Sequence, residues 1–277
     1  MRLSRLLLSL LAVGGVLLSQ TLAAPMWIER QFLRAAELIA PVFGRHSPDS
    51  DVSIDHSSWN DFLARHLVAG EDGVNRVRYG AVSKPDRAAL KAYVAKLETI
   101  DPATLDRAEQ LAFWINLYNA ATVLLILDHY PIDSIRDIED PWDRPAATAR
   151  GVTLSLDDIE HGIIRPAFRD PRIHYALNCA SIGCPNLAAK AYSSGDIDAQ
   201  LDAAARSYVN HPRGVEVIEG KVVASKLYGW YREDFGDSKA AVLDHIRLYA
   251  EPPLRTALEG KRRIDKYRYD WSLNDAP

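Results

Sequence analysis

The run AFWINLYNAATVLLIL, residues 112–127, is apolar nearly all the way round a helix and lies inside a helical segment that spans 105–129. A helix without a polar face has nothing to offer water, so it belongs in the middle of a fold with other elements wrapped around it. Asn116, Tyr118 and Asn119 interrupt the run, which argues against a membrane span. The two asparagines lie three apart on one face, and Glu109 precedes Asn116 by seven residues on roughly the same side. Buried amides need partners. Either both brace neighbouring loops, or one of them faces a site.

The chain opens with a leader-like stretch. Arg2 and Arg5 form a positive start, residues 6–18 an apolar stretch, and Thr21, Leu22 and Ala23 a small-residue cleavage signal. Residues 1–23 therefore read as a signal peptide, and the mature protein is expected to be periplasmic or secreted, without stable membrane insertion after cleavage. Of 33 Lys and Arg, loss of Arg2 and Arg5 leaves 31 against 37 Asp and Glu. That mildly acidic balance, with no basic block, excludes nucleic acid as an expected partner. A small molecule or peptide of unknown identity remains.

The remaining length suits one large domain. Ile28, Phe32, Ala36 and Ile39 recur at helical spacing, which predicts a helical N-terminal extension over 24–57 ahead of a single domain over 58–277. Helices are expected over 58–68, 85–100, 196–209 and 238–250, and strands over 76–82, 151–154, 172–178 and 263–271. Ser155 and Asp158 have the spacing of a capping pair opening the next helix. Residues 214–225 read as a hairpin turning at Glu219-Gly220. Strands and helices without regular alternation predict an α+β fold, a mostly antiparallel sheet surrounded by helices.

Both cysteines, Cys179 and Cys184, fall in HYALNCASIGCP, residues 174–185. In an oxidising compartment a pair this close is a disulfide candidate. A free Cys179 is instead a candidate nucleophile, which needs a base or a positive environment to form its thiolate. If 172–178 is a straight strand, His174 lies about 16 Å from Cys179 on the opposite face. His161, on the preceding helix one turn from Arg165, is then the favoured base, with Asn116, Asn119 or Asp270 as orienting groups. On an α-helix Glu160 points about 100° away from His161 and does not pair with it. Asp234, in YREDFG, reads as a cap or salt-bridge partner.

Five ordered motifs, AFWINLYNA, SLDDIEHGIIRP, DPRIHYALNCASIGCPNL, SKLYGWYREDFG and YRYDWSLN, together resemble the family catalogued as domain of unknown function 547. The resemblance runs from about Trp59 to Asn274 and includes exported bacterial-type proteins. It implies domain extent and motif residues, here Asn116, Asn119, Glu160, His161, Arg165, His174, Asn178, Cys179 and Cys184, but no reaction.

Two main readings stand side by side, and whether the protein is an enzyme stays open between them. One is a thiol-dependent hydrolase or acyl transferase, papain-like or transglutaminase-like in logic, with Cys179 as nucleophile, His161 or His174 as base, and Asn116 and Asn119 assisting. The other is a binding or assembly protein of the cell envelope, whose Cys179–Cys184 disulfide shapes a pocket. Glu160, Arg165, Arg172 and Asn178 are the expected substrate-binding residues. Zinc on the two thiolates with His161 and His174, and an exchange-active dithiol, are the minor alternatives. No metal and no organic cofactor is expected, since phosphate-binding glycine loops, nucleophile-elbow serines and paired-histidine metalloprotease motifs are missing from the sequence.

Overall fold

In the computed structural model, Met26 and residues 34–276 are described. The leader at 1–23, and Ile28 and Phe32 of the expected extension, lie outside these residues. From 34 to 56 the chain is irregular apart from a 3-10 turn at Pro41–Gly44. Met26 is helical, residues 34–56 carry no α-helix, and the rest of the expected extension lies outside the described residues. Pro41 disfavours helix at the residue before it, and Ser47 N donates to Leu105 O at 2.8 Å, so the segment docks as a strap.

Helix α1 (Ser57–His66) leads into a small antiparallel pair, β1 (Leu67–Ala69) and β2 (Asn75–Val77). The strand expected over 76–82 stops at Val77 because a 3-10 turn, Tyr79–Ala81, takes over. Helix α2 (Lys84–Glu98) starts at Ser83, whose side chain accepts from Asp86 N, with Pro85 in its first turn. Helix α3 (Arg107–His129) is the central element. By length and composition it could cross a membrane, yet 89% of its apolar window is buried inside the protein. It is the core helix that its all-round apolar character required.

Strands β3 (Pro145–Ala149) and β4 (Val152–Ser155) form a second hairpin, of which β3 went unread in the sequence. At the end of β4, Ser155 and Asp158 make a reciprocal capping box that opens α4 (Leu156–Ile159). One π-helical turn, Glu160–Ile164, follows, and α5 (Arg165–Phe168) closes the segment.

The strand expected over 172–178 does not form. Pro171 and the Asp170 carboxylate, which accepts from Arg172 N, start a 3-10 turn over Pro171–Tyr175. Residues 176–179 continue as irregular chain. Ile173 packs into the large core around α3, and Tyr175 into a second core. Burial on both sides makes a tight turn look like a central strand in sequence.

Around that second core lie α6 (Ile197–Val209), the hairpin β5 (Val215–Ile218) and β6 (Lys221–Ser225), α7 (Leu227–Trp230), α8 (Lys239–Tyr249) and α9 (Pro252–Ala257). Glu219 and Gly220 both have positive φ, 49° and 74°, as a two-residue hairpin turn requires. Strand β7 (Lys266–Arg268) adds to β6 in parallel. It is shorter than the expected 263–271, because the chain then leaves the sheet to run along the cysteine loop. Ile182 N donates to Ser272 O and Gly183 N to Asp270 O, both at 2.8 Å. Gly183 permits this approach, since a Cβ there would lie 2.7 Å from Asp270 N. The fold is α+β, but among the described residues its strands form three small sheets of two, two and three strands, with one parallel pair.

Candidate functional site

The loop from Asn178 to Pro185 lies on the seam between the two cores and is held by asparagines. Asn119 donates to Ala176 O at 2.9 Å and accepts from Asn178 N at 2.9 Å. Asn178 donates to Pro185 O at 2.7 Å and accepts from Ala180 N at 2.9 Å. Ala180, with φ of 61°, sits in the left-handed region that alanine rarely adopts, so the backbone just after Cys179 is strained and held by these bonds. Asn116 is spent elsewhere. It exchanges hydrogen bonds with Tyr192 O and N at 2.8 and 3.0 Å, and its amide lies 3.3 Å from His56 Nε2.

Cys179 and Cys184 are free thiols with their sulfurs 2.8 Å apart. Cys179 is partly exposed and Cys184 is buried. The Cys179 Sγ also lies 3.1 Å from Tyr269 Oη and 3.7 Å from Ser181 Oγ. The Cys184 hydrogen bond, followed by those of Tyr269 and Ser181, outweighs burial and lowers the Cys179 thiol below its ordinary range. Burial and the adjoining Cys179 push Cys184 well up. The pair is thus asymmetric: an accessible sulfur disposed to be a thiolate, and a buried sulfur that keeps its proton and donates it.

Among the described residues no histidine hydrogen-bonds Cys179. His161 and His174 instead belong to a carboxylate–imidazole chain. His174 Nε2 is 2.6 Å from Asp234 Oδ2, and its Nδ1 is 3.8 Å from Glu160 Oε1. His161 Nδ1 is 3.9 Å from the same Glu160 oxygen, and its Nε2 is 3.5 Å from Asp157 Oδ1. Glu160 therefore lies between the two rings. Glu160 and His161 both lie on the π-helical turn.

Arg165, whose side chain is 1% exposed, reaches Asp234 at 2.6 Å and Glu233 at 3.0 Å and donates to His161 Nδ1 at 3.3 Å. Burial opposes the charge on Asp234, but hydrogen bonds from His174 and Arg165 overcome it and hold the carboxyl well below the usual carboxylate range. Burial, with the charges of Glu160 and Asp143, raises Asp157 to about 7. Burial keeps His161 neutral, its pKa lowered despite Glu160. Tyr231 stacks on His174 with ring centroids 4.2 Å apart. Burial, then the nearby charges of Glu160 and Cys179 among others, push the phenols of Tyr118 and Tyr231 well above their ordinary value.

The structure gathers Glu160, His161, Arg165 and His174 in one cluster and Cys179 and Cys184 in another. Arg172 points elsewhere, tied to Asp170, Asp198 and Asp202 at 2.7–2.9 Å. The Asp270 carboxylate accepts from Ser272 N at 2.9 Å and orients no histidine. The zinc set does not assemble, because thiols and imidazoles have separate partners. Among the described residues no group of three or more His, Cys, Asp and Glu side chains is arranged to hold a metal ion. Sequence reasoning missed Tyr118, Asp157, Tyr231 and Tyr269. Tyr118 and Asp157 stood beside singled-out residues, Asn119 and Glu160, whereas nothing in the sequence linked Tyr269 to Cys179.

These features define a mixed α+β domain with a paired-thiol loop and a buried carboxylate–imidazole chain. Residues 102–209 match the family model described as Protein of unknown function, DUF547. The match includes Asn116 to Cys184 but not Asp234 or Tyr269. No curated protein and no solved structure matches the chain.

Proposed function

We propose that the domain performs thiol–disulfide exchange, with Cys179 attacking and Cys184 resolving. The 2.8 Å approach of an accessible sulfur to a buried one carries this reading. The Cys179 thiolate attacks one sulfur of a substrate disulfide; a bond forms between them, and the other substrate sulfur leaves as thiolate and takes a proton from water. Cys184 then loses its proton and attacks Cys179 Sγ, releasing the second substrate thiol and closing the Cys179–Cys184 disulfide. The protein dithiol gives up two electrons and the substrate disulfide takes them. A thiol reductant or a disulfide oxidant of the surroundings sets the direction.

The leader-like residues 1–23 support a periplasmic or secreted location, where disulfides persist. The hydrolase or acyl-transferase reading has less support, since it needs a base on Cys179 and the thiol's partners are Cys184, Tyr269 and Ser181.

Alkylation of the native, reduced protein as a function of pH, read site by site by mass spectrometry, tests the assignment of roles. A lowered thiol pKa means that more thiolate is present at a given pH, so Cys179 modification reaches its plateau at lower pH than an ordinary thiol with pKa about 8.5. Cys184 stays unmodified over the same range. Equal labelling of both cysteines, or a Cys179 profile no lower than that of a model thiol, contradicts the reading.

A further inference from the structure

Thiol–disulfide exchange has no use for the Tyr269 hydroxyl, which lies 3.1 Å from Cys179 Sγ. The fold nonetheless fixes it there. Just after Tyr269 the tail is laid along the cysteine loop: Gly183 N donates to Asp270 O and Ile182 N to Ser272 O, both at 2.8 Å, and Ser181 pairs antiparallel with Leu273. The Tyr269 ring packs against Trp230 and Trp271, with centroids 4.8 and 4.6 Å away. Cys179 and Tyr269 are both partly exposed, whereas Ser181 and Cys184 are buried. Among these neighbours of the Cys179 sulfur, Tyr269 is therefore the one that borders solvent with it.

A donor beside the sulfur matters when the leaving group is a strong base. In exchange the leaving group is a thiolate, whose conjugate acid has a pKa of about 8.5, and it departs near neutral pH without an acid. When a thiolate attacks an O–O bond instead, hydroxide or an alkoxide leaves, and water has a pKa of about 15.7. That oxygen needs a proton as it departs. Burial and the adjoining thiols hold the Tyr269 phenol well above its ordinary range, so it carries its proton at neutral pH. As Cys179 spends its charge on the peroxide, one of the influences that keep the proton on the phenol falls away.

We propose that the domain also reduces hydroperoxides, with Cys179 attacking the O–O bond, Tyr269 protonating the departing oxygen and Cys184 resolving. This inference rests on the roles given to the two cysteines in the exchange reading, not on a disulfide substrate. The Cys179 thiolate forms an S–O bond as the O–O bond breaks, which leaves Cys179 as a sulfenic acid and the other oxygen as an alkoxide, or as hydroxide from hydrogen peroxide. Tyr269 Oη gives that oxygen its proton and regains one from water. Cys184 Sγ, 2.8 Å from Cys179 Sγ, then attacks the sulfenic sulfur. The Cys179–Cys184 bond forms, the S–O bond breaks, and the departing hydroxide takes the Cys184 proton and leaves as water. The dithiol gives up two electrons and the peroxide takes them. A thiol reductant of the surroundings reopens the bridge.

Hydrogen peroxide and oxidised glutathione, each added to the reduced full-length mature protein, are the probes, with closure of the Cys179–Cys184 bridge read by alkylation and mass spectrometry. Per thiolate, hydrogen peroxide is expected to react with Cys179 on the order of a hundredfold faster than with reduced glutathione, the low end of what a positioned acid contributes. Dimedone should tag Cys179 as a sulfenic acid in Cys184→Ser. Tyr269→Phe keeps a ring against both tryptophans and removes the proton, and rates taken at a pH where Cys179 is fully ionised set aside any change in its pKa. The ratio of the peroxide rate to the oxidised-glutathione rate is then expected to fall by a similar factor. A peroxide rate per thiolate no higher than that of reduced glutathione, or a ratio unchanged in Tyr269→Phe, overturns the peroxide inference. Closure by oxidised glutathione but not by peroxide does the same and leaves the exchange reading standing, whereas closure by peroxide alone overturns the exchange reading and supports this one. Because wild type is compared with a free thiol, a Tyr269→Phe variant that fails to fold does not blunt the test.

Discussion

Replacing Asp234 with alanine is expected to destabilise the protein by about 3–5 kcal/mol, the range for breaking a buried ion pair by removing one partner. For a domain of this size that lowers Tm by roughly 6–20 °C. Asp234 is the main counter-charge of Arg165, whose side chain is 1% exposed, and it also accepts from His174 Nε2 at 2.6 Å. With Asp234 gone, Arg165 keeps the half-exposed Glu233, the His161 ring and the Arg34 carbonyl at 3.4 Å, so a cation stays buried with one screened counter-charge. Asp234→Asn, which retains acceptor geometry on one oxygen, should cost less.

The pH dependence has a definite sign. Asp234 has a depressed pKa in the fold, so its contribution is fully present above the ordinary carboxylate value of 3.8 and is lost as pH falls below it. Urea unfolding of wild type and Asp234→Ala, at neutral and at acid pH, checks both points. A loss under about 1 kcal/mol, as for a surface pair, shows that Asp234 does not carry the buried charge.

The second large effect is on chemistry. In Cys184→Ser, Cys179 still attacks a disulfide but nothing in the protein resolves the adduct, so the reaction stops at the mixed disulfide instead of going on to the internal bridge. With oxidised glutathione as probe, mass spectrometry should find a single glutathione on Cys179 in Cys184→Ser, none in Cys179→Ser, and an internal disulfide in wild type. In Cys184→Ala the loss of the Cys184 donor also raises the Cys179 pKa, since that hydrogen bond is the largest influence lowering it. Addition to Cys184→Ala is therefore slower at pH 7 than addition to wild type, and the deficit closes as pH rises. A wild type that also stops with a glutathione on Cys179 means that Cys184 resolves nothing.

How much of this was legible in the sequence depended on whether the signal was local. Helix α3 was legible because a long run without a polar face has one place to go. The Ser155–Asp158 capping box and the Glu219-Gly220 turn were legible because their chemistry is fixed within a few residues. Residues 172–178 were not, since a turn buried between two cores has the composition of a central strand. That misreading set His174 aside as a neighbour of the helix residues, although it lies 3.8 Å from Glu160.

The angle assigned between Glu160 and His161 assumes 3.6 residues per turn, and the chain makes a π turn there. Asp234 was legible as a salt-bridge partner but not as a partner of His174, because the contact spans 60 residues. Cys179 and Tyr269 meet across 90, because the tail folds back along the glycine-bearing loop.

The central claim is that Cys179 and Cys184 form one reversible two-electron couple. Equilibrating the mature protein in glutathione buffers of graded poise, quenching with acid and reading the mass of the peptide or peptides spanning 179–184 tests it directly. The account predicts a single transition in which both thiols disappear together, with loss of two hydrogens, inside the range that glutathione can set. Two free thiols at every poise, or a bridge that stays closed at every poise as a structural disulfide does, would contradict it.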